Sequence, residues 1–280
     1  MKTAVITGAS AGIGKATALE LGRQGWRIIG VGRNPQRCEK ARAELEIEGI
    51  RADFLRGDFD SMAEVKWVAD KIAGRTDRID VLVNNAGGVR DKRYETVDGL
   101  EATFAANHLA PFLLTRELLP ILKATAAEHG EARVIAVSSS AHEYMPAMNF
   151  ADLQFVENFS TGGAYCQAKL ANLLFSRELA RRYGDEGILA QTMHPGIIAS
   201  NFYIYGDESM RSHLDEKGGN PPEHAARTIV WMATCAECGQ PGGRYFHDCA
   251  EAKAKPQAQD DEAAKRLWEE SEAILGRLGF

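Results

Sequence analysis

Short apolar runs alternate along this chain with stretches of helical periodicity. Thr3–Thr7, Arg27–Gly32, Ala52–Leu55, Val81–Asn84, Arg133–Ser138 and Leu189–Met193 are compact and rich in Val, Ile and Leu, and they predict strands. A shorter run near Arg244–Phe246 predicts one more. Helices are expected at Ile13–Gln24, with apolar positions at Ile13, Ala16, Leu19 and Leu21, and at Pro35–Glu48, with Pro in the first turn. Further helices are expected at Met62–Ala73, Leu100–Thr125, Tyr165–Tyr183, after Pro221-Pro222, and at Asp261–Leu278. Regular strand–helix alternation implies an α/β fold. The expectation is one doubly wound parallel sheet of about seven strands with helices on both faces, in a single domain over residues 1–280. Ligands in such sheets bind beyond the carboxyl ends of the strands. Residues 202–222 break the rhythm with Gly206, Gly218, Gly219 and two prolines, and they read as an excursion that covers a site.

Bulk properties narrow the function. The 280 residues are 45% hydrophobic and 26% charged, as in ordinary globular protein. A net charge of -6 with no basic block argues against nucleic-acid binding. No run approaches the length of a membrane span, and the first strand-like run starts at Thr3, so neither a membrane anchor nor a signal peptide is expected. Five cysteines, an odd number, fit a reducing compartment, and the cytoplasm is the expected location.

Two stretches carry chemistry. Thr7-Gly8-Ala9-Ser10-Ala11-Gly12-Ile13-Gly14 joins the first strand to the first helix. Glycines there let the backbone turn sharply beside a pyrophosphate, and the helix start supplies N–H groups. At the end of the second strand stand Gly32, Arg33 and Asn34, where an NAD site usually has an acid for the ribose 2′-hydroxyl. Arg33, together with Lys15 in the first helix, favours a 2′-phosphate and hence NADP. The second stretch is Tyr165-Cys166-Gln167-Ala168-Lys169. Its phenol and ammonium share one helix face, and an ammonium stabilises a phenolate for proton transfer.

With these motifs in order, the chain resembles the short-chain dehydrogenase/reductase family, over residues 1–250. Thr7 to Gly14 is similar to its cofactor motif, Asn84-Asn85-Ala86-Gly87 to its fourth-strand motif, and Pro195-Gly196 to its turn beside the nicotinamide. Val137-Ser138-Ser139-Ser140-Ala141-His142, Asn107-His108-Leu109 and the stretch from Tyr165 to Asn172 are most similar to the retinol dehydrogenase-like group. Phe246-His247-Asp248-Cys249 and Arg266-Leu267-Trp268 add to that likeness. Ala168 departs from the serine usual before the lysine.

The resemblance implies a Rossmann-type fold and hydride transfer between a nicotinamide and a carbon. It implies Asn107, Ser139, Tyr165 and Lys169 as catalytic residues, with Ser138 and Ser140 as competitors of Ser139. Tyr165 is the acid or base, Lys169 tunes it and holds the ribose, and Ser139 donates to the substrate oxygen. Cofactor contacts are expected from Gly8, Ser10, Gly12, Ile13, Gly14, Lys15, Arg33, Asn34, Asp58, Phe59, Asn85, Ala86, Gly87, Tyr165, Lys169, Pro195, Gly196, Ile198 and Ser200. Asn107 has an argument of its own, because the N–H that would bond its carbonyl in a helix belongs to Pro111, which has none. That carbonyl could hold a water of a proton path from Lys169, the alternative being a plain proline kink.

Ser139 and Tyr165 are 26 residues apart, a long separation for the family. Met145, Met148 and Phe150 in that stretch, and Tyr203 in the excursion, are the expected substrate contacts, since Met and aromatic side chains suit an adaptable apolar pocket. Ile204, Tyr205, Met210 and Leu214 are candidate lid residues. Cys235, Cys238, His247 and Cys249 have ligand-like spacing, but Cys235 falls at a helix end and no metal is expected. The reading is an NADP(H)-dependent oxidoreductase acting on a lipophilic or aromatic alcohol, aldehyde or ketone. Reduction of an activated C=C bond and a non-catalytic NADPH sensor are the alternatives. A small-molecule substrate is the expected partner, and the resemblance leaves a homodimer or homotetramer open.

Overall fold

The computed structural model describes residues 1–199 and 218–280. Its sheet is built from β1 (Thr3–Thr7), β2 (Arg27–Gly32), β3 (Ala52–Arg56), β4 (Val81–Asn84), β5 (Ala132–Val137), β6 (Ile188–His194), β7 (Tyr245–His247) and β8 (Ala250–Ala252). The order is β3-β2-β1-β4-β5-β6-β7-β8. All pairs are parallel except β7 with β8, which is antiparallel. Eight strands therefore replace the expected seven. The eighth, Ala250-Glu251-Ala252, is short and solvent-facing, and it follows a tight turn in which Asp248 and Cys249 both have positive φ. Such an edge hairpin leaves no apolar run to read.

Central strands are buried on both sides. All five residues of β1 and all six of β5 are buried, as expected of a parallel sheet under two helical layers. On one face lie α1 (Gly12–Arg23), α2 (Pro35–Ile47) and α7 (Pro222–Thr234), with Leu21, Leu45 and Ile229 against Ile6 and Ile28. On the other lie α3 (Met62–Ala73), α5 (Ala110–His129), α6 (Thr161–Tyr183) and α8 (Asp261–Arg277). The amphipathic α8 seats Trp268 on Phe112 of α5, with ring centres 4.8 Å apart, and on Phe175 of α6 at 5.9 Å.

One expected helix is broken. Where Leu100–Thr125 reads as a single helix, the chain forms α4 (Ala102–Phe104), a π-helical turn at Ala105–Leu109, and then α5. In the widened turn Ala110 N–H bonds Ala105 five residues back. Pro111 can donate neither to Asn107, four residues back, nor to Ala106, five back.

After β1, β2 and β3 the chain crosses to β4 on the opposite side of β1. The strand order thus reverses between β1 and β4, and a crevice opens at their carboxyl ends.

Candidate active site

A cavity of about 630 Å³ occupies that crevice. Its floor at one end is the β1–α1 turn, with Gly8, Ser10, Gly12 and Ile13 lining it. Gly8 has φ +68°, and a Cβ there would sit 2.7 Å from Asn85 Nδ2. A Cβ on Gly14 would lie 2.5 Å from the Gly8 carbonyl oxygen. Ala11, before α1, provides no side-chain cap, so the first N–H groups of the helix have no side-chain acceptor. This cradle fits a pyrophosphate, since added side chains would fill it and its N–H groups suit an anion. Thr7 ties it to the β4 loop. Its hydroxyl accepts from Asn85 N–H at 2.9 Å and Ala86 N–H at 2.8 Å, and Asn85 Nδ2 returns a bond to the Thr7 carbonyl at 2.8 Å.

At the other end, the segments after β5 and on α6 bring together the residues expected to handle the proton. Ser139, Tyr165 and Lys169 all line the cavity. Lys169 is buried, its Nζ lies 5.4 Å from the centre of the Tyr165 ring, and it donates to the Val137 carbonyl at 3.1 Å. Burial pushes its pKa down to about 8. Ser139 Oγ accepts from Ala141 N–H at 3.1 Å, and a hydroxyl that accepts in this way keeps its own proton to donate. Ser138 is only 1% exposed and its hydroxyl is spent on the Lys169 carbonyl at 2.8 Å. Ser138, Ser139 and Ser140 all line the cavity, and of the first two Ser139 is the one whose hydroxyl is not donated to the Lys169 carbonyl.

The short chain dehydrogenase family model matches residues 2–208. Retinol dehydrogenase 13 of Homo sapiens is 36% identical over 285 residues, covering 98% of this chain and 85% of the relative. The chain belongs to the short-chain dehydrogenase family. Polyprenol dehydrogenase of Mus musculus is 35% identical over 285 residues, covering 99% of this chain and 85% of that protein. Among solved structures, the Pseudomonas aeruginosa RhlG/NADP active-site complex superposes with a TM-score of 0.70 at 26% identity, over 88% of this chain and 93% of that one. As a short-chain dehydrogenase the protein is an oxidoreductase whose cofactor is a nicotinamide nucleotide. Among the described residues no helix is long and apolar enough to cross a membrane.

Most expected cofactor residues of this short-chain dehydrogenase reach the cavity: Arg33, Asp58, Phe59, Asn85, Ala86, Gly87, Pro195, Gly196 and Ile198 all line it. Gly14 instead lies packed beneath Gly8. Lys15 is not brought there. It turns toward α2 and pairs with Glu44 at 2.7 Å. Asn34 is likewise diverted, capping α2 by accepting from Arg37 N–H at 2.8 Å. Arg37, one turn into α2, lines the cavity as a cation that the sequence reading missed.

The expected substrate contacts need correction. Met145 and Met148 are buried in the core under α5 and α6, and Phe150 carries the Arg266 guanidinium on its ring at 4.2 Å. None lines the cavity. Gln167 folds their loop inward, its Nε2 donating to the Asp152 and Leu153 carbonyls at 2.9 and 2.8 Å, so these apolar side chains complete the core. Tyr144, 82% exposed, stands at the cavity instead. Ser200, Tyr203, Ile204, Tyr205, Met210 and Leu214 lie outside the described residues. Among the described residues flanking the excursion, Ala199 N–H bonds the Asn220 carbonyl at 2.9 Å, and Pro222 already opens α7.

Asn107 does not line the cavity, and its carboxamide is held by Gly88 and Thr103. His194 was also missed. It lines the cavity, and its Nδ1 accepts from Ser140 N–H at 3.3 Å and Gly196 N–H at 3.4 Å. Burial, with His247 and His142 nearby, pushes its pKa down to about 4. Its place directly before Pro195-Gly196 was the signal available in the sequence. Among the described residues no group of three or more His, Cys, Asp or Glu side chains is placed to hold a metal.

Proposed function

We propose that this short-chain dehydrogenase uses NADP(H) to interconvert a lipophilic or aromatic alcohol with its aldehyde or ketone. The observation that carries the reading is the opening of the glycine cradle, Arg33, Ser139, Tyr165 and Lys169 onto one cavity. The bound nicotinamide supplies or accepts the hydride. Tyr165 gives the proton to the substrate oxygen in reduction and takes it in oxidation. Ser139 donates to the same oxygen, polarising the carbonyl. Lys169 serves beside Tyr165 as the nearest buried cation and would hold the nicotinamide ribose.

Two features support NADP over NAD. No acid follows β2, and Arg33 and Arg37 both line the cavity beyond it. The RhlG structure holds NADP, a further support by likeness. For the substrate, the relatives are named for retinol and polyprenol, and Tyr144 offers an aromatic face at the cavity. Cofactor cradle and proton-handling groups belong, in this reading, to a single domain spanning the chain.

The test is turnover of NADPH with a panel of lipophilic aldehydes, ketones and enones, for wild type and Tyr165→Phe. Carbonyl reduction by wild type, lowered at least about a hundredfold in the variant, is expected. Turnover of enones alone would transfer the reading to C=C reduction. Tight NADPH binding with no turnover on any member would leave a sensor.

A further inference from the structure

Three charged side chains from three strand ends meet at the cradle's far side. Arg33 follows β2, Asp60 follows β3, and Arg90 follows β4. Both arginines line the cavity, whereas Asp60 does not. Arg90 donates through Nη2 to Asp60 Oδ1 at 2.8 Å and Oδ2 at 2.9 Å, with its side chain 17% exposed. Arg33 approaches the same carboxylate only to 3.8 Å, and its side chain is 46% exposed. One carboxylate thus stands between two guanidinium groups, and Arg90 holds both its oxygens. Asp58, another acid at this end, accepts from Asp60 N–H at 3.2 Å, and Arg37 is a third cation lining the cavity.

We infer that Arg90 is a specificity-determining residue that acts through Asp60: it occupies the carboxylate and so leaves Arg33 available to a phosphate on the cofactor ribose. This rests on the reading that Arg33 receives the 2′-phosphate. A carboxylate and a phosphate monoester compete for a guanidinium because both match its donor fork. With Arg90 in place, the Asp60 charge is paired and each of its oxygens already accepts a hydrogen bond, which weakens its pull on Arg33. With Arg90 removed, the released carboxylate closes on Arg33 and adds an uncompensated negative charge beside the phosphate. A dinucleotide without the 2′-phosphate makes no claim on Arg33 and is indifferent to the exchange.

The experiment is equilibrium titration of NADPH and NADH, read by nucleotide fluorescence, on wild type, Arg33→Ala, Arg90→Leu, Asp60→Asn and the Arg90→Leu/Asp60→Asn double variant. Arg90→Leu is expected to raise the NADPH Kd about tenfold, the scale of one charge-assisted hydrogen bond, while the NADH Kd moves less than about twofold. The unchanged NADH value also reports that the variant is folded. If leucine unfolds the loop, Arg90→Gln removes the charge and is expected to give the same change in ratio. The double variant, with no carboxylate left to capture Arg33, is expected to regain NADPH affinity to within about twofold of wild type. A double variant as weak as Arg90→Leu would mean that Arg90 acts on the cofactor directly and would overturn the proposal. Equal loss of both nucleotides in Arg90→Leu would overturn it too. If Arg33→Ala leaves the NADPH/NADH ratio unchanged, the 2′-phosphate reading fails and this inference with it. A ratio sensitive to Arg33 and blind to Arg90 sinks the inference alone.

Discussion

The Asn107 side chain grips both backbone polar groups of Gly88. Its Oδ1 accepts from Gly88 N–H at 3.0 Å, and its Nδ2 donates to the Gly88 carbonyl at 2.7 Å and to the Thr103 carbonyl at 2.7 Å. A Cβ on Gly87 would lie 2.4 Å from that Oδ1. The π-helical turn carrying Asn107 thereby fixes the loop after β4, which forms one wall of the cavity, near Lys169. Pro111 frees the backbone carbonyl at position 107 whatever side chain stands there, so the grip on Gly88 is what calls for asparagine.

Replacing Asn107 should therefore act on the loop before it acts on chemistry. Asn107→Ala strips Gly88 of both partners, at an expected cost of about 1–3 kcal/mol, because half-buried backbone groups regain only some of their hydrogen bonds from water. Asn107→Asp keeps the acceptor for Gly88 N–H but turns a buried carboxylate oxygen toward the Gly88 and Thr103 carbonyls, and should cost at least as much as alanine. Denaturant unfolding of the three proteins checks the order. Wild-type stability in Asn107→Ala would refute the clamp.

His194 joins two segments that sequence motifs treat separately, the serine segment after β5 and the Pro195-Gly196 turn after β6. In His194→Asn the side-chain oxygen stands near the position of Nδ1 and can accept from Ser140 and Gly196, whereas leucine cannot. His194→Leu should lower kcat/KM by roughly tenfold or more, and asparagine should restore most of it. The depressed pKa gives a second check. The folded state binds fewer protons at His194 than the unfolded chain between about pH 4 and pH 6.5, so wild type loses stability as pH falls through that window. His194→Asn should lose less there, and parallel acid-unfolding curves would contradict the assignment.

How much of this was legible in the sequence follows from what each residue type advertises. β1, β2, β4 and α3 fall where the hydrophobic pattern puts them, since parallel strands buried on both faces are unbroken apolar runs. Gly8, Ser139, Tyr165 and Lys169 belong to ordered motifs and meet in the cavity. Lys15 and Asn34 share those motifs but turn away: Lys15 follows Glu44, a partner 29 residues off that no local pattern marks, whereas Asn34 caps Arg37 N–H only three residues on, a local competition in which the helix start takes the side chain. Met145, Met148 and Phe150 failed for a related reason. An apolar loop residue fits a core as well as a pocket, and Gln167 decides the matter through loop carbonyls that no spacing rule marks. Arg90 and Asp60 are paired only by the three-dimensional order of β3 and β4, which are not neighbours in the sheet.

Docking of α8 depends on Trp268, which is 6% exposed and wedged against Phe112 and Phe175, with the Arg182 guanidinium 4.7 Å from its ring centre. Trp268→Ala should cost about 3–5 kcal/mol, since the cavity left between α5 and α6 cannot collapse fully. Trp67, 46% exposed on α3, serves as the contrast, and its alanine variant should stay within about 1 kcal/mol of wild type. Thermal melts of both variants test this. Equal shifts would mean that α8 is not anchored by its tryptophan.

Lys169 sets function against stability. Its pKa is pushed from 10.5 down to about 8 by burial, so the folded protein holds fewer protons there than the unfolded chain between those values. Stability from this group therefore rises as pH increases from about 8 to about 10.5, and below pH 8 the buried ammonium carries its full desolvation cost. Lys169→Met removes the charge and keeps most of the volume. At pH 7 the variant should be more stable than wild type despite losing the bond to the Val137 carbonyl, and the gap should close toward pH 10. Its kcat/KM should fall at least about a hundredfold, because the cation beside Tyr165 is gone. Denaturant unfolding at pH 7 and pH 10, paired with steady-state rates, reads both effects. A variant less stable than wild type at pH 7, or a gap that does not narrow with pH, would show that the lysine is not held at a cost in the folded protein.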